Sequence, residues 1–133
     1  EISDFAILDG ISVLNWSDYS FAVAENMVDE IIYLQHHLRT IKMGTELGEI
    51  AKKGLIPHEA FALNSFLIRK DLPAIELTLE QALFYLHGDT FSIEGKHGFN
   101  LMLYKNEPLG WIKHIGNRFN NLYPKEWRIR MKI

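Results

Sequence analysis

PLGWIKHIGNRFNNLYPKEWRIRMKI, residues Pro108 to Ile133, is the stretch whose reading decides the rest. It holds two of the three tryptophans, two of the four prolines and six of the fourteen Lys and Arg residues. Its end alternates, with Trp127, Ile129, Met131 and Ile133 on one parity and Arg128, Arg130 and Lys132 on the other. Successive side chains of a strand point to opposite faces, so the pattern predicts a last strand with an apolar face inward and a cationic face outward. Cations on such a face stand ~6.6 Å apart.

The rest of the 133-residue chain is long enough for one compact domain or two small lobes. Apolar residues make up 47%, so a core can form. No run approaches the ~18 apolar residues of a membrane span, and no signal peptide opens the chain. The chain has no cysteine, which excludes disulfides, thiolate zinc sites and a cysteine nucleophile within it. This composition fits a cytoplasmic protein. The chain opens at Glu1 and its first methionine is Met27, so the expectation is a processed or excised piece without all the chemistry of its parent.

The net charge of −3 conceals an asymmetry. Residues 1–95 carry 6 basic and 15 acidic side chains, for −9, whereas residues 96–133 carry 8 basic and 2 acidic, for +6. A basic block in an acidic chain points to a polyanionic partner such as nucleic acid. It equally suits two halves that pack with complementary surfaces.

Along the chain, Phe21 to Ala24 and Glu30 to Leu34 read as strands around a turn, and Asp4 to Trp16 as strand or helix. Gln35 to Thr40 reads as a loop and Ile41 to Met43 as a short strand. Gly44 to Pro57 reads as extended structure turning at Lys52-Lys53-Gly54, and a short helix follows Pro57, with Ala60, Phe61, Leu63 and Leu67 as its stripe. After the breaker Asp71-Leu72-Pro73, Thr78 and Gln81 form a capping-box pattern. Leu79, Ala82, Leu83 and Leu86 then give a helix at about 79–87 that stops at Gly88. Strands follow at Phe91 to Glu94, Phe99 to Tyr104 and Leu109 to Ile115. A turn at Gly116-Asn117 and a loop to Pro124 lead to the final strand. Closely linked short strands suggest a small barrel. The prediction is an α+β fold, with a mixed lobe over 1–76 and a small β-barrel over 77–133.

Enzymatic motifs are missing from the sequence. There is no G-x-S-x-G, Walker A or GxGxxG, and His58-Glu59 lacks the second histidine of HExxH because Ala62 stands there. The adjacent His36 and His37 read as ordinary loop residues, and no metal site is expected. The interleaving of Trp111, Lys113, His114, Arg118, Phe119, Tyr123, Lys125, Trp127, Arg128 and Arg130 is different, since cations hold phosphates and rings stack on unpaired bases. The structural alternative makes Trp111 and Trp127 core residues and the cations the guards of a sheet edge.

The run Pro108-Leu109-Gly110-Trp111, then Lys113, Gly116, Asn121, Tyr123-Pro124-Lys125 and Arg128, resembles the C-terminal PUA-like domain of Sun-family (Nol/Nop/Sun) RNA cytosine-5 methyltransferases of the RsmF type. Gly44, Leu47-Gly48-Glu49, Lys52-Lys53-Gly54, Pro57-His58 and Tyr85-Leu86-His87-Gly88 are similar to the segment preceding that domain. The resemblance covers roughly 30–130. The family often has lysine where Asn120 stands here.

The resemblance implies a non-catalytic, RNA-binding region, with ribosomal or transfer RNA as partner. Its second partner is an upstream catalytic domain that supplies S-adenosylmethionine and a cysteine nucleophile. On this reading Lys113, Arg118, Lys125, Arg128, Arg130, Lys52 and Lys53 contact phosphates. His114 and Tyr123 contact bases, and Gly110 and Gly116 let the backbone turn or approach closely. The alternative is a protein-interaction module that docks on the catalytic domain or a ribosomal protein.

Overall fold

The computed structural model describes all residues except 1, 3–4, 38–43, 65, 69–70 and 133. The chain divides into two compact units, Glu1–Arg69 and Lys70–Ile133. Residues 70–76 thus fall with the second unit rather than with the first lobe, because a strand at Ala74–Glu76 pairs there.

The first unit is an antiparallel meander of β1 (Ile11–Trp16), β2 (Tyr19–Ala24), β3 (Thr45–Ala51) and β4 (Gly54–Pro57). The turn at Lys52-Lys53 joins β3 to β4 as expected, with Ala51 opposite Gly54. Gly48 is obligatory because a β-carbon there would collide with the Ile56 carbonyl oxygen. A helix, α1 (Val28–His37), lies between β2 and β3, after a 3-10 turn at Glu25–Met27. A short helix α2 (Glu59–Leu63) packs on β3, and its N-cap His58 accepts from the Ala60 N–H at 3.1 Å through Nδ1. Phe21, Val23, Leu47, Phe61 and Leu67 are buried.

Residues 30–34 correct the strand expectation, since they lie in α1. The four-residue apolar run Ile31 to Leu34 fits either period. The discriminating signal is charge: Asp29 and Glu30 stand in the first turn and His36 and His37 in the last, matching the helix dipole. His37 also stacks on Tyr33 at 4.2 Å, one helical turn away, so the two histidines are helical rather than in a loop. The predicted strand at Ile41 to Met43 lies outside the described residues.

The second unit begins with β5 (Ala74–Glu76), followed by α3 (Leu79–His87) and β6 (Gly98–Tyr104), which runs parallel to β5. β7 (Glu107–His114) and β8 (Phe119–Asn121) continue the sheet in the order β5-β6-β7-β8. The α+β class is as expected. Among the described residues the ladder does not return from β8 to β5. The capping box is present: Thr78 Oγ1 accepts from the Gln81 N–H, and Gln81 Oε1 accepts from the Thr78 N–H. The two-residue turn Lys105-Asn106 has φ of 48° and 65°, the left-handed pair that suits the twist of a tight hairpin. Leu77, Ala82, Tyr85, Met102, Ile112 and Phe119 form the core, with Phe91 and Ile93 packed against it. Residues 91–94 do this as irregular chain, not as the predicted strand. No helix among the described residues is long and apolar enough to cross a membrane.

Glu59 at the start of α2 is only 4% exposed, and neither carboxylate oxygen has a hydrogen-bond partner among the described residues. Burial pushes its carboxyl up from 4.5 to about 8, because a charge in a low-dielectric site is disfavoured. The native chain keeps this proton where the unfolded chain has lost it. Stability therefore falls as pH rises from about 4.5 to about 8 and levels off above. Glu59→Gln should raise Tm relative to wild type at pH about 8, with little difference near pH about 4.5. Thermal melts of both proteins across that window check this, and a difference independent of pH contradicts it.

Candidate nucleic-acid interface

The carboxyl end of α3 positions the basic stretch. Gly88 terminates the helix at φ 93°, and its N–H and that of Asp89 donate to the carbonyls of the last turn. Asn121 on β8 adds a side-chain clamp: its Nδ2 donates to the Tyr85 carbonyl at 2.9 Å and the Asp89 carbonyl at 3.0 Å. Its Oδ1 accepts from the Tyr123 N–H at 2.9 Å. Tyr85, fully buried, donates its hydroxyl to the Trp111 carbonyl at 2.9 Å.

The tail docks on the same helix end. Residues Lys125–Trp127 form a 3-10 turn, and the Ile129 N–H donates to the Leu86 carbonyl at 3.0 Å. The predicted final strand is absent among the described residues. The N–H groups of Trp127 and Arg128 go to Pro124 and Lys125 within the turn, so no ladder enforces the two-residue alternation. Trp127 and Met131, expected to face inward, are exposed.

Arg128 lies over Gly88. A β-carbon on Gly88 would stand 2.6 Å from Arg128 Cδ and Nε. The Arg128 Nε is buried without a hydrogen-bond partner among the described residues. A cation at the end of a helix is favoured by the dipole.

The other expected contact residues are distributed as follows. Lys113 pairs with Phe99 across β6–β7, its ammonium 5.4 Å from the ring centroid. Arg118 is exposed in the loop before β8, Lys125 is exposed in the 3-10 turn, and Arg130 is exposed in the tail. Lys52 and Lys53 are exposed at the β3–β4 turn of the first unit. The cations therefore occupy a strand, a loop, a turn and a tail rather than one strand face.

His114 is a correction. It is 4% exposed; the Gly116 N–H donates to its Nδ1 at 3.3 Å and its Nε2 lies 3.0 Å from the Ile93 carbonyl. An accepting Nδ1 places the proton on Nε2, which donates to Ile93. A ring so engaged ties β7 to residues 91–94. Gly116, at φ 96°, makes the turn that allows this, whereas Gly110 is buried within β7 opposite Met102. Tyr123 is half-buried between Tyr85 (centroids 5.5 Å) and Trp127 (6.3 Å). Trp127, read from the sequence as core, has 54% of its surface exposed, whereas Trp111 is indeed interior at 1%.

Comparison with known proteins fits this geometry. Residues 72–129 match the family described as the methyltransferase RsmF PUA domain. The second unit carries an RsmF-type PUA domain. The match takes in β5 through the docked tail. The chain is also 32% identical over 130 residues to the ribosomal RNA small subunit methyltransferase F of Shewanella loihica, covering 95% of this chain and 25% of the relative. The protein of the same name from Shewanella pealeana is 34% identical over 100 residues, covering 72% of this chain and 20% of the relative. The chain thus spans about a quarter or less of the length of these relatives, and the likeness to RsmF-type methyltransferases extends upstream of the PUA domain into the first unit.

Gly88 offers a direct check of the tail geometry. Alanine there meets a left-handed backbone, costing about 1–2 kcal/mol, and also displaces Arg128. Gly88→Ala should lower Tm, and Gly88→Ala combined with Arg128→Ala should destabilise by less than the sum of the two single changes. Additive losses in a double-mutant cycle would show that the two residues do not meet.

Proposed function

We propose that this chain is the non-catalytic RNA-binding region of a ribosomal RNA cytosine-5 methyltransferase, acting in the cytoplasm to position RNA for a catalytic domain elsewhere in the protein. The observation that carries the proposal is the RsmF PUA match over the unit that holds the basic tail. The name of the relatives, ribosomal RNA small subunit methyltransferase F, makes ribosomal RNA the favoured polyanion. S-adenosylmethionine and the nucleophilic cysteine are assigned to residues outside this chain, which contains no cysteine.

The division of labour follows from exposure. Arg118, Lys125 and Arg130 are free to meet phosphates, Lys113 and Arg128 join them from half-buried positions, and Lys52 and Lys53 provide a second cationic turn. Charge–phosphate contacts supply affinity without sequence preference. Transfer RNA offers the same phosphates, and competition between the two RNAs measures the preference.

A protein-docking role is favoured by one element. Helix α1 has no buried residue, and Ile32, Tyr33 and Leu34 are exposed along it. On this reading the catalytic domain of the same protein is the partner, and α1 is the surface it covers.

The RNA reading is tested by titrating labelled small-subunit rRNA fragments at several salt concentrations. If about four phosphates are neutralised, log K against log salt should slope at about −3 for single strands. Lys125→Glu and Arg118→Glu should weaken all sequences alike and flatten the slope by about 0.7 for each phosphate no longer neutralised. A slope near zero contradicts the proposal.

A further inference from the structure

We infer that Trp127 is a base-stacking platform: its indole, on a tail that carries four cations within residues 125–132, takes one unpaired base of a single-stranded RNA segment. This rests on the RNA-binding reading and goes beyond it by naming a residue and a ligand chemistry.

Three observations converge on this side chain. First, Trp127 keeps 54% of its surface exposed although aromatic rings pack in the adjoining core. Among the described residues its ring partner is Tyr123, edge-to-face at 71° and 6.3 Å. The pair is not stacked in parallel, so among the described residues no ring lies flat on the indole.

Second, the ring is fixed rather than dangling. Tyr123 is braced by Tyr85, which is fully buried and hydrogen-bonded to the Trp111 carbonyl. The backbone is tied on both sides, by the Trp127 N–H to the Pro124 carbonyl at 3.1 Å and the Ile129 N–H to the Leu86 carbonyl at 3.0 Å. A ring ordered in advance loses little freedom on binding.

Third, the surroundings match a polyanion. Residues 125–132 contain Lys125, Arg128, Arg130 and Lys132 against the one acid Glu126. An exposed aromatic residue in a cationic segment fits a base attached to phosphates, since the ring takes the base and the cations take the backbone. Stacking tolerates every base, so the platform selects unpaired over paired RNA rather than one sequence.

The experiment compares the full chain with Trp127→Ala and Trp127→Phe, using oligouridine and an abasic oligomer of equal length. Trp127→Ala should weaken oligouridine binding by roughly 5- to 150-fold, the cost of one stacked base. The salt slope should not change, and the abasic oligomer should bind wild type and variant alike. Trp127→Phe should recover much of the loss, and oligouridine should quench indole fluorescence in the wild type but less in Trp127→Ala. Equal binding of oligouridine by wild type and Trp127→Ala overturns the inference while leaving RNA binding intact. So does an equal loss for both oligomers, which would mark Trp127 as structural. If the wild type binds neither oligomer at low salt, the RNA reading falls and the inference with it.

Discussion

The last turn of α3 is where the second unit is tied together. Its carbonyls are claimed by Gly88 and Asp89 behind the helix, by Asn121 from β8 and by Ile129 from the tail. Tyr85 on the same turn reaches the Trp111 carbonyl of β7. Helix ends must find partners for such carbonyls, since leaving one buried and unpaired costs about 1–3 kcal/mol. Here the partners come from β8 and from the tail, which carries the unit's most basic stretch. One backbone requirement therefore fixes a short strand, an irregular tail and the charges on it.

That requirement explains the family motif in physical terms. Asn121 stands where it clamps the helix, and Tyr123 begins the aromatic chain to Trp127. Gly88 leaves room for Arg128. These residues hold one another before they hold any ligand. His114 belongs with them, as a buried strut between β7 and the irregular residues 91–94. The exposed Arg118, Lys125 and Arg130 are then left for solvent or for a polyanion.

Much of the fold was legible because local signals agreed with the final structure. Thr78 and Gln81 announced α3, Gly88 its end, and Lys52-Lys53-Gly54 the β3–β4 hairpin. The errors share one cause: a local pattern was overridden or underdetermined. The run Ile31 to Leu34 fits strand or helix, and only the charges at its two ends favour α1. β8 has three residues, too few for periodicity to register. The alternation from Trp127 onward would suit a strand, but a strand exists only where a neighbour accepts its ladder, and Leu86 on a helix takes the bond instead. For the interface, sequence could identify the cationic residue types but not which were exposed. Burial of His114 and exposure of Trp127 are tertiary outcomes with no signal in spacing.

The central claim is that this basic, helix-docked end of the chain grips RNA. Photo-crosslinking of the chain to small-subunit rRNA fragments bearing 4-thiouridine, followed by mass mapping of the adducts, tests it most directly. The account predicts adducts concentrated within residues 113–130. Stable RNA binding with adducts confined to other segments, or no adducts at saturating RNA, would contradict it.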